Sequence, residues 1–166
     1  ISAGGFMLRA STIVAATTTL LAGAACQPAA TPFNPGDPAV VAAIDSLLKN
    51  AMAGSATGNA DQVMAMAEGG ADFTFITGDV MLTGVEPTRE AFRNTYAGIK
   101  RQDQVVDQMK VRLLAPDVAV LALVGEGTYT DLAGWTSPPV GLGLTVVFVR
   151  EGGQWRARHA HQSVAF

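Results

Sequence analysis

Val147-Phe148-Val149-Arg150-Glu151-Gly152-Gly153-Gln154-Trp155-Arg156-Ala157-Arg158-His159-Ala160-His161-Gln162-Ser163 is the stretch on which the reading of this chain turns. Glu151-Gly152-Gly153 reads as a hairpin turn, because adjacent glycines supply the positive φ that a two-residue turn needs. A long apolar run, Val140 to Arg150, enters the turn, and Gln154 to Val164 leaves it, so two antiparallel strands are expected. Strict alternation along the second places Trp155, Ala157, His159, His161 and Ser163 on one face. Arg156, Arg158, Ala160 and Gln162 then take the other face, and a bulge would shift that register.

Working back from the hairpin, more strands appear. Val118 to Thr130 is a long apolar strand, and Gln104 to Leu114 contains an alternating one, with Ala115-Pro116-Asp117 turning between them. Asp131 to Pro139, which holds Gly134 and two prolines, reads as a loop. Phe73 to Ile76 and Val80 to Leu82 read as a short hairpin around Thr77-Gly78-Asp79. Earlier still the period changes to helical. Val40, Val41, Ile44, Leu47, Leu48 and Met52 follow Asp37 as a cap and Pro38 in the first turn, with Gly54 expected to end the helix. A short second helix through Val63, Met64 and Met66 opens at Thr57 or Asn59, and a third opens at Glu86-Pro87 and carries Phe92 and Tyr96. Helices first and an antiparallel sheet after them define an α+β class, with N-terminal helices packed on one face of a curved antiparallel sheet.

The segment before residue 39 has a different character. Between Arg9 and Asp37 there is no charged residue. A basic residue, a short apolar run and small residues describe a signal peptide over 1–26. Gly23-Ala24-Ala25-Cys26 resembles a bacterial lipobox, with Cys26 as the lipidated residue, although Gly23 stands where Leu is usual. Residues 27–38 hold four of the eight prolines and read as a tether, leaving 39–166 as the folded domain. The expected location is periplasmic, on the outer membrane through a lipid anchor. Among 166 residues the net charge is −3 and only 15% are charged, so there is no electrostatic footprint for nucleic acid. A single Cys excludes an internal disulfide. Gly141-Leu142-Gly143 lies within a strand and is no dinucleotide fingerprint.

The helix-opening stretches Asn59-Ala60-Asp61 and Gly84-Val85-Glu86-Pro87-Thr88-Arg89, together with the closing hairpin and its His-x-Ser ending, resemble the nuclear transport factor 2-like superfamily. Within it, the chain is similar to the SnoaL-like proteins of bacteria, over about Val40 to Ser163. The resemblance implies a cone-shaped α+β barrel, or cystatin-like roll, with a pocket between the helices and the concave sheet face. It also implies homodimers through the outer sheet face. Enzymes of this superfamily, such as ketosteroid isomerase, polyketide cyclases and dehydratases, work without a cofactor, using a pocket Asp or His with Tyr or Asp donors to an oxyanion.

Fold alone does not decide function, so the chemistry rests on residues. His159 and His161 are the only histidines. His159 is the candidate general base, with Asp79 or Asp131 to fix its tautomer and Tyr96 or Asp79 as donor. The competing reading is a histidine that closes the end of the sheet through hydrogen bonds to backbone or Ser163, and this is the one favoured. A metal would need a third ligand that no spacing supplies, so neither metal nor cofactor is expected. Phe75, Phe92, Tyr96, Trp135 and His159 are the candidate pocket residues, with Phe73, Met52, Met64 and Met66 lining or filling the cavity. The expected function is a cell-envelope module that binds a small hydrophobic molecule or pairs as a dimer, with an isomerase, cyclase or dehydratase as the alternative.

Overall fold

A computed structural model describes residues 33–69 and 72–165. Cys26, the signal segment and residues 27–32 of the tether lie outside the described residues. Among the described residues the order is α1 (Pro38–Thr57), α2 (Ala60–Met64), a 3-10 turn (Ala65–Ala67), β1 (Thr74–Thr77), β2 (Val80–Thr83), α3 (Val85–Tyr96), β3 (Ile99–Ala115), β4 (Val118–Asp131), β5 (Val140–Glu151) and β6 (Gln154–Ala165).

The helix boundaries follow from local chemistry. Asp37 caps α1 by accepting from the Ala39 N–H at 2.9 Å, with Pro38 in the first turn. Asn59 caps α2 by accepting from the Gln62 N–H at 3.0 Å. Gly54 does not end α1 as expected. The helix runs on to Thr57 and stops at Gly58, whose φ of 70° suits the left-handed cap. Gly54 serves a different purpose. A Cβ there would sit 2.8 Å from Gln62 Cβ and 2.9 Å from the Asn59 carbonyl oxygen, so the missing side chain lets α2 fold tightly back onto α1.

The strands form one sheet in the order β2-β1-β6-β5-β4-β3. Every pairing is antiparallel except β1 with β6, which is parallel, with Thr74 opposite His159 and Ile76 opposite His161. The described strands leave β2 and β3 as free edges, so the curved sheet is a roll rather than a closed barrel. Two glycines with positive φ, Gly152 and Gly153, make the β5–β6 turn as the sequence requires. The helices cover one face of the sheet. Ile44 and Leu48 of α1 and Met64 pack on Phe73, Phe75, Leu121, Val146 and Phe148. Burying side chains of this size contributes about 1.5–3 kcal/mol each. The chain enters this core already fixed, because the Leu113 N–H donates to the Pro35 carbonyl at 2.9 Å.

Candidate ligand cavity

Between α1, α3 and the concave sheet face lies a cavity of about 80 Å³. Its walls are apolar: Leu48, Met52 and Met64 on the helical side, and Phe75, Leu123, Leu142 and Leu144 on the sheet side. Phe92 bridges the two sides, 5.3 Å from Phe75 and 5.7 Å from Tyr96 between ring centres. Helical spacing explains the second contact, since Phe92 and Tyr96 are four residues apart on α3. Three methionines, Met52, Met64 and Met66, give the wall a deformable lining.

Four polar side chains reach this space: Ser55, Tyr96, Gln104 and Gln162. Tyr96 is buried and its hydroxyl donates to Ser55 Oγ at 3.2 Å. Ser55 Oγ in turn donates to Gln102 Oε1 at 2.7 Å. Burial pushes the Tyr96 phenol above its ordinary pKa of 10.0, although the bond to Ser55 opposes this. The phenol is therefore neutral at physiological pH. Its contribution to stability is whole below pH 10 and is lost as pH rises beyond that, where the unfolded chain ionises first.

No charged side chain among the described residues lines the cavity. This bears directly on the candidate general base. His159 does not face the cavity. On β5 Val147 pairs with His159 while its neighbour Phe148 pairs with Ala157, so Arg158 is an extra residue in β6. This bulge reverses the alternation beyond it. Ala157 and Ala160 are both buried in the core, and Gln162 joins Ala160 on the cavity wall. His159 and His161 are turned to the outer face. There His159 Nδ1 lies 2.7 Å from Thr74 Oγ1 across the parallel β1–β6 pair. His159 does tie the sheet together, but through Thr74 rather than through backbone or Ser163.

The other candidates divide. Phe75, Phe92 and Tyr96 come together on the cavity. Asp79 sits in the β1–β2 turn, and Trp135 is 54% exposed at the tip beyond β4, so neither lines it. Asp131 is occupied in that tip, where its carboxylate accepts from the Trp135 N–H at 2.9 Å. Trp135 packs edge-on to Tyr129, with centroids 5.8 Å apart. The sequence reading missed Ser55, Gln102, Gln104 and Gln162. Only the bulge brings Gln162 inside, and Ser55 meets Gln102 across 47 positions of chain. Among the described residues no group of three His, Cys, Asp or Glu is placed to hold a metal.

A helical layer on one face of a curved six-stranded sheet, enclosing an apolar cavity, places the chain structurally among the cystatin-like, nuclear transport factor 2-like folds. The model of the SnoaL-like domain family matches residues 44–166, and the chain belongs to that family. An uncharacterized protein with a cystatin-like fold from Caulobacter vibrioides superposes with a TM-score of 0.65 at 19% identity, covering 76% of this chain and 89% of that one. A nuclear transport factor 2-like superfamily protein from Salmonella enterica superposes with a TM-score of 0.69 at 14% identity, over 78% and 93%. An NTF2-like protein of unknown function from Pseudomonas putida gives 0.63 at 18% identity, over 76% and 87%. These likenesses concern the fold. No curated protein matches the chain.

Proposed function

We propose that this protein binds a small apolar molecule in the cavity between its helices and sheet, and that it does so in the cell envelope after export. The single observation that carries the binding reading is the lining itself. It is almost wholly hydrocarbon and thioether, with a few polar groups and no charge among the described residues, which is the composition of a hydrophobic ligand site. The enzymatic reading through His159 loses its support, because a base on the outer face cannot reach a proton held in the cavity.

The test is titration of the purified chain with N-phenyl-1-naphthylamine, a neutral dye that brightens in apolar sites. The expected result is saturable enhancement. Leu144→Trp, which fills the cavity from the β5 wall, should weaken binding at least about tenfold while the far-ultraviolet circular dichroism is kept. An unsaturable signal, or equal affinity in Leu144→Trp, would sink the proposal.

The export reading is supported by the sequence from Arg9 to Cys26. Among the described residues no helix is long and apolar enough to cross a membrane. Expressed in a Gram-negative host, the parent chain should sediment with membranes and Cys26→Ser should appear in the soluble fraction. Persistent membrane attachment of the variant would count against the lipid anchor.

A further inference from the structure

We infer that the polar end of the cavity selects an uncharged ligand that carries a hydrogen-bond donor, a hydroxyl or N–H on an otherwise apolar body, and that Tyr96 reads it as an acceptor. This rests on the binding reading above and specifies its ligand.

The protons of the Tyr96–Ser55–Gln102 chain can be counted. Ser55 has a single hydroxyl proton, and it is directed to Gln102 Oε1 at 2.7 Å. The 3.2 Å contact between Ser55 and Tyr96 must then use the proton of Tyr96. The relay therefore runs in one direction, Tyr96 to Ser55 to Gln102, and points its protons away from the cavity. What Tyr96 presents to a ligand is the unused acceptor capacity of the phenol oxygen. A carbonyl or ether brought to that oxygen would meet lone pairs and gain nothing, unless the relay were broken. A hydroxyl or N–H would complete it. Gln104, two residues from Gln102 on β3 and also on the cavity wall, can serve the same ligand group with either end of its amide.

Charge is excluded by the surroundings. A carboxylate or ammonium entering this space would lose its water shell and find no opposite charge on the lining. Helix α3 also explains why Tyr96 is held so firmly. The ring stacks on Phe92 and is buried against Ala60 and Val63 of α2, which fixes the phenol oxygen, while its proton, free to turn about the C–O bond, is held in place by Ser55.

The relay makes a prediction that a merely structural Tyr96 would not. Removing the Ser55 hydroxyl takes away the acceptor of the Tyr96 proton, and the freed phenol turns from acceptor to donor. Ser55→Ala should therefore reverse the ligand preference rather than simply weaken it.

The experiment is equilibrium dialysis of the purified chain at pH 7 against four matched probes: naphthalene, 1-naphthol, 1-methoxynaphthalene and 1-naphthoate. In the parent chain 1-naphthol should bind about tenfold more tightly than 1-methoxynaphthalene, the worth of one net hydrogen bond. 1-Naphthoate should bind about a hundredfold more weakly than 1-naphthol. Ser55→Ala should favour 1-methoxynaphthalene over 1-naphthol, and Tyr96→Phe should level the two, each affinity being taken relative to that of naphthalene for the same variant. Should Tyr96→Phe lose naphthalene as well, the reversal in Ser55→Ala decides alone. Equal binding of 1-naphthol and its methyl ether by the parent chain, or tightest binding of 1-naphthoate, would overturn this inference while leaving the apolar-site reading standing. Failure of all four probes to bind would overturn both.

Discussion

Gly125→Ala should cost the protein about 3 kcal/mol or more, a drop of roughly 12 °C in Tm for a domain of this size. The reason is a close approach of two backbones. A Cβ on Gly125 would lie 2.1 Å from the Val105 carbonyl oxygen and 3.1 Å from Val106 Cα, and neither is the end of a flexible side chain. The approach exists because β3 carries a bulge between Val106 and Gln108, where it bends across β4. Val105 and Val106 also line the cavity, so the bend that needs Gly125 also shapes the ligand site. Gly141→Ala is the control. It lies in the neighbouring strand, opposite Glu126, and its new methyl would meet Ala165 Cβ at an ordinary 3.5 Å. Its stability should be unchanged or raised by up to about 1 kcal/mol. Thermal melts of both variants check the pair, and equal behaviour of the two would refute the account.

Arg89→Ala should cost about 2–3 kcal/mol in urea unfolding, the second large effect. Arg89 projects from α3 and is only 7% exposed. Its guanidinium reaches Glu86 on its own helix, Glu68 beyond the 3-10 turn, and Asp61 of α2, whose Oδ1 lies 3.2 Å from Nε. That Nε makes an ion pair without a hydrogen bond, leaving it as a buried donor with no partner. Burial works against the charge, but Glu86 and Glu68 more than offset it and hold the guanidinium above its ordinary pKa. Arg89 is therefore charged at every pH at which the protein is folded. The carboxylates are 60–71% exposed, so they return to water when Arg89 is removed. The cost is accordingly set well below that of stranding a buried charge and reflects lost packing and the untying of α2 from α3. Arg89→Lys should recover less than half of it, because a single ammonium cannot reach three carboxylates on three segments. Full recovery by lysine would show that the geometry of the fork is irrelevant.

Much of this architecture is legible in short stretches of chain. Asp37 and Asn59 stand before their helices with side chains that can accept from the first free N–H groups, and both do so. Glu151-Gly152-Gly153 makes its turn because only glycine adopts two consecutive positive φ values without cost. These features depend on neighbours within a few residues, so the sequence carries them. Gly54 is ambiguous in the sequence for the converse reason. A glycine can end a helix or permit a close crossing, and only the position of α2 shows which.

The site was less legible. Phe75, Phe92 and Tyr96 could be placed on the cavity that the family resemblance implies, but the histidines could not be placed. Alternation along β6 predicts that His159 and His161 share a face with Ala157, and one extra residue at Arg158 sends them outward and brings Gln162 in.

What the sequence determined by itself is the order and kind of its elements, the helix caps, the tight turns and the family, because each is written in contiguous residues. What only the tertiary structure decided is which side chains share the cavity: the bulge that turns the histidines away, the parallel seam of β1 with β6, and the relay from Tyr96 through Ser55 to Gln102. Each of these is a pairing between distant segments, and the packing of one strand or helix against another, rather than any local preference, selects it.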